Sequence, residues 1–127
     1  MTTALLVMVH GSPHPSANDD MFQVIEDLRT RPDATRLYPI IEAGFMECNA
    51  PSILEAIDRC VAAGAQRLVA VPYFLHIGTH VCDDLPTLLE AAQAHHPNIE
   101  ILLSEYIGLA PLLTDLLAAR AVEAVPV

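Results

Sequence analysis

Leu5-Leu6-Val7-Met8-Val9-His10-Gly11-Ser12 opens the chain's ordered reading. Five apolar residues run without a polar break, then stop at a histidine, a glycine and a serine. A strand with one wet face would alternate; an unbroken apolar run predicts a strand covered on both faces, as in a parallel sheet. Working outward, the signature returns at 37–43, at 67–74 around Leu68-Val69-Ala70-Val71, and at 99–103.

Helical patterns fill the gaps. Ser16 caps an expected helix to position 28, with Phe22, Ile25 and Leu28 on one face. Pro32-Asp33 marks a turn. Asn49-Ala50-Pro51 predicts a second helix, with Asn as cap and Pro in the first turn, carrying Ile53, Ile57 and Val61 and ending at Gly64. After a loop over 75–81, Asp83-Asp84 open a third helix, where acidic groups suit the positive dipole end. It carries Leu85, Leu88, Leu89 and Ala92 and closes at His95-His96-Pro97. Gly108 to Pro111 leads into a last helix with Leu112, Leu113, Leu116 and Leu117, and the tail after Arg120 reads as frayed. The order βαβαβαβα predicts an α/β protein: a four-stranded parallel sheet, right-handed crossovers and helices on both faces, flavodoxin-like in architecture, with residues 1–127 as a single domain.

Composition narrows the function. The 127 residues suit one hydrophobic core, and just over half are apolar, which excludes intrinsic disorder. The net charge is -10 and all six cations are arginines, so the chain will not hold a nucleic-acid backbone or an anionic membrane through basic residues. Divalent cations are drawn to such a surface. Cys48, Cys60 and Cys82 make no disulfide framework and no CxxC pair, which predicts a reducing cytoplasm. Met1 to Ala4 carries no charge, and the apolar run is too short for a membrane span, so a cytosolic protein is expected. Without GxGxxG or GxxxxGK[ST], no nucleotide cofactor is expected.

Ligands of open α/β sheets bind beyond the carboxyl ends of the strands. His10 ends the first strand, Glu47 follows the second in Phe45-Met46-Glu47-Cys48, and His76 and His80 follow the third. Two imidazoles and a carboxylate suit Co, Fe, Ni or Zn and leave positions open for exchange. Each residue alone also reads as a solvated side chain; their convergence on one edge favours a site. Cys48 and Cys82 flank it, and small buried filler is the plainer reading of both. His95 and His96 read as helix-end or exposed residues. Ser12 lacks the Gly-x-Ser-x-Gly elbow of a nucleophile and reads as a cap.

Val9-His10-Gly11-Ser12, Gly44-Phe45-Met46-Glu47, Pro72-Tyr73-Phe74-Leu75, Gly78-Thr79-His80, Asp84-Leu85-Pro86 and Ile107-Gly108 with Pro111-Leu112-Leu113 are similar, as an ordered set, to the short sirohydrochlorin cobaltochelatases of the class II chelatases. That resemblance implies a chelatase-like domain that inserts Co²⁺, or in relatives Fe²⁺ or Ni²⁺, into a sirohydrochlorin-type tetrapyrrole without ATP. It implies a symmetric homodimer with the cleft between subunits. It places the metal-binding histidines at His10 and His80 and the active-site glutamate at Glu47, with His76 accessory. The chain departs from the family at Pro13, where Arg is frequent, leaving substrate carboxylates to arginines such as Arg36 or Arg120, or to helix N-termini. Three other readings stand beside it: a metal-binding or metal-delivery protein of the same fold, a regulatory domain with incidental histidines, and a small hydrolase using Ser12 or His10.

Overall fold

The computed structural model describes residues 1–126, apart from the side chains of Thr79 and His80. Its elements run β1 (Thr3–Val9), α1 (Pro15–Arg29), α2 (Pro32–Thr35), β2 (Ile40–Phe45), α3 (Ile53–Ala62), β3 (Arg67–Pro72), α4 (Thr79–His95), β4 (Glu100–Leu103) and α5 (Pro111–Glu123). The four strands form one parallel sheet in the order β2-β1-β3-β4.

The sheet separates two apolar clusters. On one face Ala4, Leu6 and Met8 of β1 and Leu68 and Ala70 of β3 pack against Ile53, Ala56, Ile57 and Cys60 of α3 and Leu85, Leu89 and Ala92 of α4. On the other, Val7, Ile41, Ala43 and Phe45 pack against Met21 and Ile25 of α1. Adjacent residues of β1 thus face opposite cores, which is why its sequence does not alternate. Gly44 admits α3 closely: a Cβ there would lie 2.9 Å from the Cα of Ile53.

Several boundaries differ from the sequence reading. Strand β2 starts at Ile40, not at 37, because the amides of Leu37 and Tyr38 donate back to the Ala34 carbonyl after the short helix α2, and Pro39 has no amide to donate. It then runs on through Gly44 and Phe45. Strand β3 stops at Pro72. Helix α1 starts at Pro15 with His14 as cap, and α3 is capped by Ser52 rather than Asn49. Ser52 Oγ accepts from the Glu55 amide while the Glu55 carboxylate accepts from the Ser52 amide, a reciprocal capping box. Helix α4 begins a full turn earlier than Asp83, at Thr79, and contains Pro86. Burial of Leu85, with Val81 packed on the same core, holds that first turn in place. Helix α5 extends past Arg120 to Glu123.

That last helix has no buried residue. It does not fold back to cover the β3–β4 half of the α1 face, where Leu102, level with Val69, stays exposed. No helix among the described residues is long and apolar enough to cross a membrane.

Candidate active site

Strands β1 and β2 pair in register up to Val9 and Phe45, and the pairing runs on past the strands. The Met46 amide donates to the Val9 carbonyl at 2.8 Å and the Glu47 amide to the His10 carbonyl at 3.1 Å. The backbone therefore delivers His10 and Glu47 side by side at the carboxyl edge of the sheet. Gly11 makes this approach possible. Its φ is +97°, and a Cβ there would sit 1.9 Å from the Glu47 carbonyl oxygen. Asn49, expected as a helix cap, instead clamps the two loops: its Oδ1 accepts from the Ser12 amide at 2.8 Å.

His10 Nε2 lies 3.4 Å from Glu47 Oε1, and both side chains are more than half exposed. His10 Nδ1 is 3.2 Å from the Gly11 carbonyl oxygen. A carbonyl only accepts, so Nδ1 donates in this arrangement, and Nε2 faces the carboxylate, donating to it when the ring is protonated and offering a lone pair when the ring is neutral. With the ring neutral, the Nε2 lone pair and the carboxylate face each other across 3.4 Å, an arrangement that a cation completes. Ligands bound at 2.0–2.1 Å in a tetrahedral site lie about 3.3 Å apart.

The pair opens onto a cleft of about 300 Å³, lined by His10, Met46, Glu47, Asp84, Thr87 and Leu88. Local pattern places Asp84 at a helix opening, and the early start of α4 turns it into the cleft instead. Its position one turn beyond His80 was the available signal, hidden because 75–81 read as loop. His80 itself lies in the first turn of α4, and its side chain falls outside the described residues.

Other candidates lie elsewhere. His76 is exposed in the loop before α4 and does not line this cleft. Cys82 lines a separate cleft with Ile77, Leu85 and Tyr106, and both Cys82 and Cys48 are exposed, not buried filler. Ser12 Oγ accepts from the His14 amide at 3.1 Å, a local turn bond ahead of α1, whose cap is His14 and not Ser12. Arg36 precedes β2 and so lies at the sheet's opposite, amino edge. Arg120 pairs with Glu123 at 2.9 Å and lines an apolar groove on α5.

A family model described as CbiX matches residues 4–124. A sirohydrochlorin cobaltochelatase of Priestia megaterium is 35% identical over 95% of this chain and 38% of its own length. A protein of the same description from Saccharolobus islandicus is 30% identical over 94% of this chain and 93% of its own. Among solved structures, the sirohydrochlorin chelatase SirB of Bacillus subtilis subspecies spizizenii, in complex with cobalt, superposes with a TM-score of 0.87 at 26% identity, over 98% of this chain and 51% of that one. The chain spans well under two thirds of the Priestia megaterium protein and about half of the Bacillus chain. With a match over nearly its whole length, the chain belongs to the CbiX family.

Proposed function

We propose that this chain, as one chelatase-like domain in the cytoplasm, inserts a divalent metal ion into sirohydrochlorin or a related tetrapyrrole without a nucleotide. Co²⁺ is the first choice of metal, with Fe²⁺ and Ni²⁺ behind it. The observation that carries the reading is the His10–Glu47 pair, with Nε2 facing a carboxylate oxygen across 3.4 Å at the mouth of a cleft. The relatives described as sirohydrochlorin cobaltochelatases and the cobalt-bound SirB structure support the same chemistry.

The metal is substrate here, not a resident cofactor. In this reading His10, Glu47 and His80 hold the incoming ion, with His76 accessory. Weak, exposed ligation suits the task, since the ion must leave these ligands for the macrocycle. The macrocycle in turn must lose two pyrrole protons. His10 Nε2, once the metal departs, and the Glu47 carboxylate are positioned to take them. Apolar Met46 and Leu88 flank the same cleft and offer contact to the ring. Protons compete with metal for the imidazole lone pair, so turnover falls on acidification.

A cleft of about 300 Å³ is small for such a macrocycle, since drug-sized ligands already take about 300–1,000 Å³. A symmetric homodimer enlarges it. This chain matches one half of the Bacillus chain, so a second copy is the natural counterpart of the other half. Leu75, Leu109, Leu116 and Leu117, all exposed, form the apolar surface that a second copy would cover.

The test mixes the protein anaerobically with sirohydrochlorin and Co²⁺, Fe²⁺ or Ni²⁺, and follows the absorption spectrum against a protein-free control. Conversion well above the control is expected, and His10→Ala should slow it by about 10²-fold or more. Normal turnover in that variant would remove His10 from the mechanism. Metal carriage without insertion is the second reading. It is favoured by one observation: among the described residues, no arginine lines the cleft to receive substrate carboxylates. Metal binding with no spectral conversion would establish it.

A further inference from the structure

Among the described residues, one group of three side chains with metal-ligating atoms draws those atoms within 4.8 Å of one another: Asp58, His95 and His96. We propose that these three form a second binding site, for a divalent transition-metal ion of the kind that prefers imidazole, separate from the His10–Glu47 cleft and independent of the chelatase reading. Asp58 stands on α3; His95 and His96 end α4. The site is remote from the cleft, because α4 runs from the carboxyl edge to the amino edge. Asp84 and His95 lie about 16 Å apart along its axis.

Three features argue for an ion rather than a chance meeting. First, the donor set is two imidazoles and one carboxylate, which suits Zn²⁺ and its neighbours and leaves one position for water. Second, His96 is held. Its Nε2 lies 2.6 Å from Asp58 Oδ1, its side chain is only 18% exposed, and the Gln93 amide donates to the carbonyls of His96 and Ile99 at 3.1 and 2.7 Å. The backbone that presents both rings is thereby fixed. Third, there is room for the ion and its water: a cleft of about 270 Å³ is lined by Leu54, Asp58, Ala91, Ala92 and His95.

The metal-free geometry shows what binding must change. The proton between His96 Nε2 and Asp58 Oδ1 occupies the line on which an ion would sit, and the two atoms must part from 2.6 Å to about 3.3 Å. His95, packed edge-on against His96 with centroids 4.8 Å apart, is exposed, and one of its ring nitrogens already lies within 4.8 Å of the other two donors. The bound ion would then tie α3 to the C-terminal end of α4.

The probe is Zn²⁺, followed by equilibrium dialysis and by thermal unfolding with excess Mg²⁺ present. Mg²⁺ favours oxygen ligands and should not compete. In His10→Ala, one saturable Zn²⁺ site is expected to remain and to raise the melting temperature. Adding His95→Ala to that variant should weaken the remaining site at least tenfold and remove the rise. His95 is exposed, so its truncation leaves the fold intact, and Asp58→Asn, which keeps a hydrogen bond to His96, should weaken it likewise. Two results would overturn the proposal: loss of all Zn²⁺ binding in His10→Ala alone, or unchanged binding in both the His95→Ala and Asp58→Asn variants. Either would leave His96 and Asp58 as a hydrogen-bonded pair between helices.

Discussion

Gly11 lets two loops touch where His10 and Glu47, two of the proposed ligands, meet. In Gly11→Ala the new methyl would overlap the Glu47 carbonyl oxygen and strain a φ of +97°. The variant should lose more than about 1 kcal/mol of stability, read as a lower melting temperature, and metal binding should weaken with it because His10 and Glu47 separate. The cysteines offer a second check. Burial, and then the charge of Glu42, push the Cys60 thiol up to about 12, whereas Cys48 and Cys82 are exposed. A thiol reagent at mild alkaline pH should therefore label two thiols per native chain and the third only on unfolding. Three labelled thiols in the native protein would contradict the packing of α3 on the sheet. At this scale the sequence was a partial guide. The His-Gly pair after an apolar run pointed to the edge of the sheet, but nothing local to Asn49 or Asp84 said which loop each would serve. Those roles depend on contacts 37 residues apart or on where a helix starts.

Among the elements, α3 was legible and its cap was not. Asn49 and Ser52 both qualify as caps, and Glu55 three residues after Ser52 is the feature that chooses between them. Ser52→Ala should cost about 1 kcal/mol, measured by denaturant unfolding at neutral pH. The cap also carries a pH signature. Accepting hydrogen bonds from Ser52 holds the Glu55 carboxyl below its ordinary range. A group depressed in the folded state stabilises it above the unfolded value, and that contribution fades as pH falls through the folded one. The difference between the parent and Glu55→Gln should accordingly shrink on acidification below the usual glutamate range. The start of α4 was harder to read, because Asp83-Asp84 and Pro86 both imitate a helix opening. Burial of Leu85 overrides them, and with that turn comes the placement of Asp84 in the cleft.

For the whole molecule, the alternation of unbroken apolar runs and helical patterns was enough to predict a parallel sheet, but not where its last helix would lie. A helix rich in leucine ordinarily marks a core element. Here α5 buries nothing, with Leu112 79% and Leu117 72% exposed, and Leu109 just ahead of it is 90% exposed. Such a surface in water calls for a covering, and the proposed second copy of this chain would be a covering that also enlarges the cleft. Light scattering should then return the mass of two chains at micromolar concentration. Each chain carries -10, so a pair brings like charges together, and association should tighten as salt screens them. Leu117→Arg is the sharper variant, because it lowers the net negative charge while placing a cation in the apolar surface. If the pair were held only by ions, that change would strengthen it. If it is held by the leucines of α5, the variant should return a single-chain mass with an unchanged melting temperature at low concentration. A parent protein that stays a single chain at every salt concentration would leave α5 uncovered and remove the dimer from the proposed mechanism.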